Sequence, residues 1–190
     1  SAVRMGLDIQ MLLYLFTLER EGGALFGREI VPAGVLYLPA RDVLVSKPRS
    51  VGDEELRSAL DRELRRSGLV LSQPEVLRAM EHSALDAPRF LPLSVGKKGV
   101  AGGLASAEEL GKLERYVDLL LEKIARELRG GVIDADPFYT NENDNACTYC
   151  AFASACNFTD GEGGDCRKPL HPVKPEEFWG HIDRIVGGKP

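Results

Sequence analysis

Cysteine is absent from the first 146 residues, and all four cysteines of the 190-residue chain lie between positions 147 and 166. Disulfide frameworks belong to secreted proteins, and the sequence shows no basic segment, apolar core and cleavage site of a secretion signal. A tight cluster of thiols without such a signal is typical of metal binding or redox chemistry. We therefore expect a metal or redox site near the carboxyl end.

Long hydrophobic runs and an excess of positive charge are also lacking. The apolar stretch MLLYLF is far shorter than the roughly 18–20 residues that a membrane helix needs. The formal net charge of −5 excludes a uniformly basic surface, so any contact with DNA must be local. With 44% hydrophobic and 28% charged residues, the composition is typical of a folded globular domain.

Hydrophobic periodicity and turn residues predict a mixed α/β chain. Apolar spacing predicts helices at residues 7–20, 53–68, 72–82, 106–131 and 174–187. Runs rich in β-branched residues predict strands at 31–40 and 131–138, and a strand and turn over 89–103 with Lys97 and Lys98 at its tip. The polar residues 139–174 predict a loop held by something other than a hydrophobic core.

Capping signals fix the expected ends of several helices. Ser106 with Glu109, and Ser72 with Glu75, have the spacing of capping boxes at helix starts. The pair Gly22-Gly23 predicts the end of the first helix.

Four arginines in the second predicted helix allow two interpretations. Arg57, Arg62, Arg65 and Arg66 could contact phosphates, but such residues more often form a solvated face paired with glutamates on the same helix.

The segment ACTYCAFASACNF places three cysteines, Cys147, Cys150 and Cys156, in a C-x2-C-x5-C pattern. Thiolates bind zinc, or iron in iron–sulfur clusters, and both sites usually take four ligands. Cys166, His171 or a residue outside the chain could supply the fourth. The spacing alone leaves zinc and an iron–sulfur cluster equally favoured.

Gln10 and Tyr14 lie four residues apart and therefore share one face of the first predicted helix. The spacing alone favours a core tyrosine beside a polar neighbour.

A series of motifs, in the same order along nearly the whole chain, resembles the C-terminal nuclease region of the AddAB helicase–nuclease B subunits. The similar segments are GLDIQMLLYL, which resembles the family's QxxxY helix, VPAGVLYLPARD, SGLVLSQPEVLRAME, SAEELGKLERYVDLLLEKIARELRGGVIDADPF, ACTYCAFASACNF and CRKPL.

This resemblance implies the PD-(D/E)XK nuclease fold, a mixed sheet flanked by helices, in a cytoplasmic, nucleoid-associated bacterial enzyme. The family's enzymes process double-stranded DNA ends for recombinational repair, with an ATP-dependent A subunit as partner and Mg2+ at the nuclease site. The resemblance further implies a 4Fe-4S cluster on Cys147, Cys150 and Cys156, with a distant upstream cysteine as the fourth ligand. Gln10 and Tyr14 become supporting residues near the active site.

The chain departs from the family pattern in two places. It contains no (D/E)-x-K sequence, and the family's catalytic Asp and (D/E)-x-K strands precede the QxxxY helix. Because two acids and a lysine are needed to hold magnesium and activate water, we expect a piece of a longer protein that is inactive alone. Cys166 has no counterpart in the family pattern and is a possible surrogate ligand.

The resemblance divides the chain into residues 1–138, the C-terminal part of a nuclease domain, and 139–190, the cysteine segment with a final helix. A sheet without its catalytic strands has an open edge, which predicts a homodimer or a helical cover. The alternative is a non-catalytic module for DNA or protein binding, stapled by Zn2+ on Cys147, Cys150, Cys156 and Cys166.

Overall fold

The computed structural model describes residues 2–97 and 99–188, so Lys98 of the expected hairpin tip lies outside the described residues. A 3-10 helix at Ala2–Met5 precedes the regular elements. The α-helices of the described residues are α1 (Gln10–Phe26), α2 (Asp53–Glu63), α3 (Pro74–Met80), α4 (Ala107–Arg129), α5 (Ala153–Cys156) and α6 (Pro175–Val186). Their strands are β1 (Gly34–Tyr37), β2 (Ser67–Leu71), β3 (Leu93–Gly96), β4 (Gly99–Gly102), β5 (Leu104–Ala105), β6 (Phe138–Asn141), β7 (Asp144–Asn145) and β8 (Lys168–Pro169).

Contacts divide these residues into two units. The central unit is Gln10–Glu114, and the flanking unit combines residues 2–9 with 115–188. Among the helices just given, none is long and apolar enough to cross a membrane.

The central unit is built on a three-stranded sheet in the order β1-β2-β5. Strand β2 pairs antiparallel with β1 and parallel with β5, which leaves β1 at an edge of the sheet. Strands β3 and β4 form a separate antiparallel hairpin within the stretch 89–103, where a strand and a turn were expected. The buried cluster of this unit comprises Val70, Leu77, Ala84, Leu91 and Leu93.

Strand β2 replaces the last part of the helix predicted at 53–68. The helix ends at Glu63, Leu64 is its C-cap, and Gly68 in β2 has a φ of +139°. A Cβ on Gly68 would lie 2.0 Å from the carbonyl oxygen of Val35 on the neighbouring strand. Only glycine allows this close approach of β1 and β2.

Helix α1 continues through Gly22-Gly23, so the predicted stop at this pair is wrong. A Cβ on Gly22 would lie 2.9 Å from Ile30 Cγ1, which makes this glycine a packing requirement. The helix ends at Phe26, and the turn is made by Gly27 with a φ of +68°.

The flanking unit packs α6 and the amino-terminal segment beside the second half of α4. The Tyr116 hydroxyl donates to the Arg4 carbonyl at 2.7 Å and lies 3.4 Å from His181 Nε2. Burial raises the pKa of the Tyr116 hydroxyl. Burial, together with the positive charges of Arg4 and Arg184, lowers the pKa of His181.

Two predictions for the carboxyl part are corrected. The strand expected at 131–138 begins only at Phe138, because the backbone at 132–137 makes no strand pairing among the described residues. The loop expected over 139–174 contains a small sheet in the order β7-β6-β8 and the short helix α5. Local hydrogen bonds build these elements without any buried hydrophobic side chain from the segment.

One of the two expected capping boxes forms. The Glu109 N–H donates to Ser106 Oγ at 3.1 Å, and the Ser106 N–H donates to Glu109 Oε2 at 2.7 Å. At α3 the residue before the helix is Gln73, without a side-chain cap bond, so the box expected from Ser72 and Glu75 is wrong. The Ser72 N–H instead donates to the Ala105 carbonyl, which holds Ser72 against β5.

This difference makes the two serines a matched pair for mutation. We expect Ser106→Ala to reduce the free energy of unfolding by about 1 kcal/mol, because the Glu109 N–H loses the hydroxyl that accepts its hydrogen bond. Ser72→Ala should change it by less than about 0.5 kcal/mol. Urea denaturation of both variants measures the difference, and equal losses would contradict the assignment of the caps.

The carboxylate of Glu81 organises the turn between α3 and β3. Its oxygens accept backbone N–H groups from Arg89 at 2.6 Å, Phe90 at 3.2 Å and Leu91 at 2.9 Å. Burial raises the pKa of Glu81, but these three donors together with the charge of Arg66 outweigh it, and the pKa is lowered. Folding therefore favours the ionised carboxylate.

The sign of this shift gives a pH-dependent prediction. A carboxylate with a lowered folded pKa stabilises the protein above the unfolded value of about 4.3 and loses this effect as pH falls through the folded pKa. Glu81→Gln should therefore lower the free energy of unfolding by about 1–2 kcal/mol at neutral pH. The deficit should shrink below about pH 4.

Urea denaturation of the unmodified chain and of Glu81→Gln, from neutral pH to below about pH 4, measures this difference in the free energy of unfolding. Glu75→Gln on the exposed surface of α3 is the control and should show little change at any pH. A Glu81→Gln deficit that stays constant with pH would argue against stabilisation by the ionised form.

Candidate functional site

The cysteine segment is organised by the small sheet of the flanking unit. Strand β6 pairs antiparallel with β7 and parallel with β8, with Phe138 opposite Lys168 and Tyr139 opposite Pro169. The loop from β7 to α5 carries Cys147 and Cys150, and Cys156 ends α5. The sheet therefore fixes the start of the loop that carries the first two thiols, and α5 follows its far end.

Asn145 holds the start of this loop through both ends of its side chain. Its Nδ2 donates to the carbonyl oxygens of Asn141 at 3.1 Å and Glu142 at 3.0 Å. Its Oδ1 accepts the N–H of Cys147 at 2.9 Å. One amide side chain thus closes the turn and sets the position of the first cysteine.

Backbone hydrogen bonds position the other two cysteines of the C-x2-C-x5-C pattern. The Cys150 N–H donates to the Cys147 carbonyl at 3.2 Å, which closes a turn between the two. The Cys156 N–H donates to the Phe152 carbonyl at 2.9 Å within α5. Asn157 then ends the helix in the left-handed conformation, with a φ of +50°.

Cys147, Cys150 and Cys156 line one cavity of about 400 Å³. All three are exposed and free of disulfides. Arg167 lines the same cavity, and its guanidinium lies 4.5 Å from the centre of the Tyr139 ring. The cavity thus presents three thiols and one cation beside an aromatic wall.

Cys166 does not line this cavity. Its N–H donates to the Ala135 carbonyl at 3.3 Å, and its Sγ lies 3.6 Å from the carbonyl oxygen of Arg167. Across residues 2–97 and 99–188, no group of three or more His, Cys, Asp or Glu side chains is placed to hold a single metal ion. The three cavity thiols nevertheless fit the donor chemistry of a larger iron–sulfur cluster at three of its four corners.

The second candidate group, Gln10 and Tyr14, lies at the start of α1 in the central unit. Gln10 Nε2 donates to the Tyr14 hydroxyl at 2.7 Å. Tyr14 is 54% exposed, so its interpretation as a core tyrosine is wrong. The pair forms a surface hydrogen bond that presents the phenol oxygen to solvent.

Comparison with known families gives this architecture its context. Residues 1–157 match the PD-(D/E)XK nuclease superfamily. The chain belongs to this superfamily. The fold expected from the motifs, mixed α/β of the PD-(D/E)XK type, is thereby confirmed.

Relatives of this PD-(D/E)XK chain carry the name of the B subunit of an ATP-dependent helicase/deoxyribonuclease. The protein from Clostridium botulinum (strain Hall) is 31% identical over 188 residues, which is 97% of the chain and 16% of that protein. Those from Acetivibrio thermocellus and Thermoanaerobacter sp. (strain X514) are 30% and 29% identical over 94% and 95% of the chain, again 16% of each relative. The chain thus spans about a sixth of these relatives.

The sequence analysis of this PD-(D/E)XK chain missed the residues that shape the cavity. Asn145 lies in the polar run NENDN, and Arg167 directly follows Cys166. Asn at a turn is a recognisable signal, because its side chain bonds nearby backbone groups. The contact of Arg167 with Tyr139 joins positions far apart in sequence, and no local pattern indicates it.

Asn145 therefore gives a direct test of how the loop is held. We expect Asn145→Ala to speed hydrogen exchange of the Cys147 amide about tenfold, because three hydrogen bonds are lost. Asn143→Ala is the control, because Asn143 takes part in this turn only through its backbone N–H. Comparable exchange in both variants would contradict the role of Asn145.

Proposed function

We propose that the chain is part of the nuclease region of a bacterial subunit that processes double-stranded DNA ends for recombinational repair. The match to the nuclease superfamily and the similarity to helicase/deoxyribonuclease B subunits over most of the chain support this proposal. The partners are DNA ends and an A subunit in the cytoplasm.

The chain's own residues have supporting roles in this proposal. The acids that would bind Mg2+, and the lysine that would help to activate water, would come from outside the 190 residues, because the chain has no (D/E)-x-K sequence. Bound Mg2+ supplies the polarisation of the attacking water. Gln10 and Tyr14 present a hydrogen-bonded phenol at the surface and would orient groups beside that site. The isolated chain is therefore expected to be inactive.

The cavity lined by Cys147, Cys150 and Cys156 carries the second part of the proposal. These residues would hold three corners of a 4Fe-4S cluster, with the fourth ligand from outside the chain. Such a cluster supplies a covalent staple for a segment that buries no hydrophobic side chain between residues 131 and 174. The division of the chain at residues 138 and 139, which the resemblance implies, stays part of this proposal.

Two further proposals concern the four cysteines and the edge of β1. A single Zn2+ on the four cysteines would make the segment a non-catalytic binding module, and Cys166 would then have to move to the cavity. The open edge of β1 remains available for a homodimer of the isolated chain.

Metal content of matched cysteine variants tests the proposal. After anaerobic purification, we expect iron and sulfide in equal amounts, with the broad visible absorption of a cluster. Cys156→Ser should lose most of the iron, because one of the three corners is removed. Cys166→Ser should retain it, because Cys166 does not line the cavity.

The other outcomes are also informative. One tightly bound zinc per chain that is lost in both variants would favour the binding module and contradict the cluster. Loss of iron in Cys166→Ser would identify Cys166 as a surrogate ligand. Absence of DNA cleavage by the longer protein with Mg2+ would overturn the nuclease assignment itself.

A further inference from the structure

We propose that an arginine-lined groove in the central unit binds the phosphate backbone of DNA, a role that rests on the proposed function in DNA processing. The groove lies between α2 and the turn at residues 87–89 and encloses about 570 Å³. Its charged lining residues are Arg57, Arg62, Arg65, Arg89, Glu54 and Asp61. We call it the arginine groove.

Three of the five acids of α2 are paired with cations from other parts of the chain. These ion pairs are Lys47 with Glu55 at 3.2 Å, Arg41 with Glu63 at 3.0 Å, and Arg89 with Asp61 at 2.8 Å between Nη2 and Oδ1. In the described part of the chain, no carboxylate lies within ion-pair distance of Arg57, Arg62 or Arg65. The expectation that glutamates of the same helix pair with these arginines is therefore wrong.

The opposite wall of the groove is held in place before any ligand binds. Arg65 Nη2 donates to the Pro88 carbonyl at 3.0 Å, and the Arg89 guanidinium stacks 4.8 Å from the centre of the Phe90 ring. The hydrogen bonds from Arg89 lower the pKa of Asp61 against the effect of burial. Glu81 fixes the same turn through three backbone N–H groups.

Guanidinium groups suit phosphates because their planar fork donates two parallel hydrogen bonds. With a rise of 1.5 Å per residue, Arg57 and Arg62 are about 7.5 Å apart along α2. One DNA strand carries a phosphate about every 3.4 Å of helix axis, so two arginines at this separation can contact different phosphates. The groove can therefore follow a short length of backbone.

The lining also indicates what the groove does not recognise. Among the described residues that line it there is no aromatic side chain on which a base could stack. Backbone contacts without base contacts give binding that is independent of sequence and sensitive to salt. A protein that acts on DNA ends of any sequence needs a contact of this kind.

Fluorescence anisotropy with a short labelled DNA duplex at rising salt tests the groove. The groove variant combines Arg57→Gln, Arg62→Gln and Arg65→Gln in the full chain. We expect a loss of affinity of about ten- to a hundredfold at low salt, and a salt slope smaller by about 2–3. Duplexes of different sequence should bind equally to the unmodified chain.

A control variant carries the same change in net charge elsewhere. Arg115→Gln, Arg129→Gln and Arg184→Gln alter exposed residues of the flanking unit and should change affinity by less than about threefold. Circular dichroism of both variants checks the fold. Equal losses in the two variants, no loss in the groove variant, or no DNA binding by the unmodified chain would each overturn the proposal.

A third variant separates charge from geometry. With lysine at the same three positions, the salt slope should be kept while affinity falls, because lysine cannot form the two-pronged contact. A slope that falls as in the glutamine variant would contradict backbone binding through these charges.

Iron and sulfide in the same samples distinguish this proposal from the proposed function. The groove variant keeps all three cavity cysteines, so normal metal content with lost DNA binding supports the groove separately. If the groove variant has normal metal content and unchanged DNA binding, the proposal for the arginine groove is overturned, whereas the proposed function is not affected. If the unmodified chain contains no iron but binds DNA, and the groove variant does not bind DNA, only the proposal of an iron–sulfur cluster is contradicted.

Discussion

The lack of a hydrophobic core in the cysteine segment is the constraint on which the carboxyl part of the molecule depends. From residue 131 to 174 no hydrophobic side chain is buried, and the segment is held by short strand pairings and by side-chain bonds such as those of Asn145. Exposed hydrogen bonds each contribute only about 1 kcal/mol, so this network offsets little of the entropy of ordering. Under the proposed function, the three thiols around one cavity would bind a cluster whose metal–sulfur bonds need no apolar burial.

The central unit is stabilised by a different principle. Val70, Leu77 and Leu93 are almost fully buried, and the close β1–β2 approach at Gly68 is part of that packing. The core holds α3 and β3, and Glu81 then fixes the turn between them by accepting three amide groups. Because Arg89 belongs to that turn, its ion pair with Asp61 is a consequence of the packing. The buried core therefore influences the charge of the groove, because it positions the turn whose Arg89 pairs with Asp61 of α2.

Sequence patterns predicted correctly those features that depend on residues close together in the chain. Helix α4 and its capping box were identified because apolar spacing and the Ser106–Glu109 pair act within one helix. The β2 strand was missed because Ser67–Leu71 is specified by pairing with β1, and α1 passed through Gly22-Gly23 because Ile30 packs against Gly22. For the candidate site, the sequence identified the three cysteines, but it could not indicate Arg167 beside Tyr139. Nor could it show that Tyr14 is exposed, since an apolar helix does not reveal which face is covered.

The difference between local and long-range interactions also explains why the arginines of α2 were expected to pair with glutamates of the same helix. On an isolated helix, acids and bases four residues apart pair with each other, and α2 has enough of both to neutralise itself. In the folded unit, Arg41, Lys47 and Arg89 pair with three of the five acids of α2, and these cations come from segments that the helical pattern does not include. An acid held in such a pair is less available to the arginines of the same helix. A chain with a net charge of −5 can in this way present a locally positive groove, so overall acidity does not exclude a DNA contact.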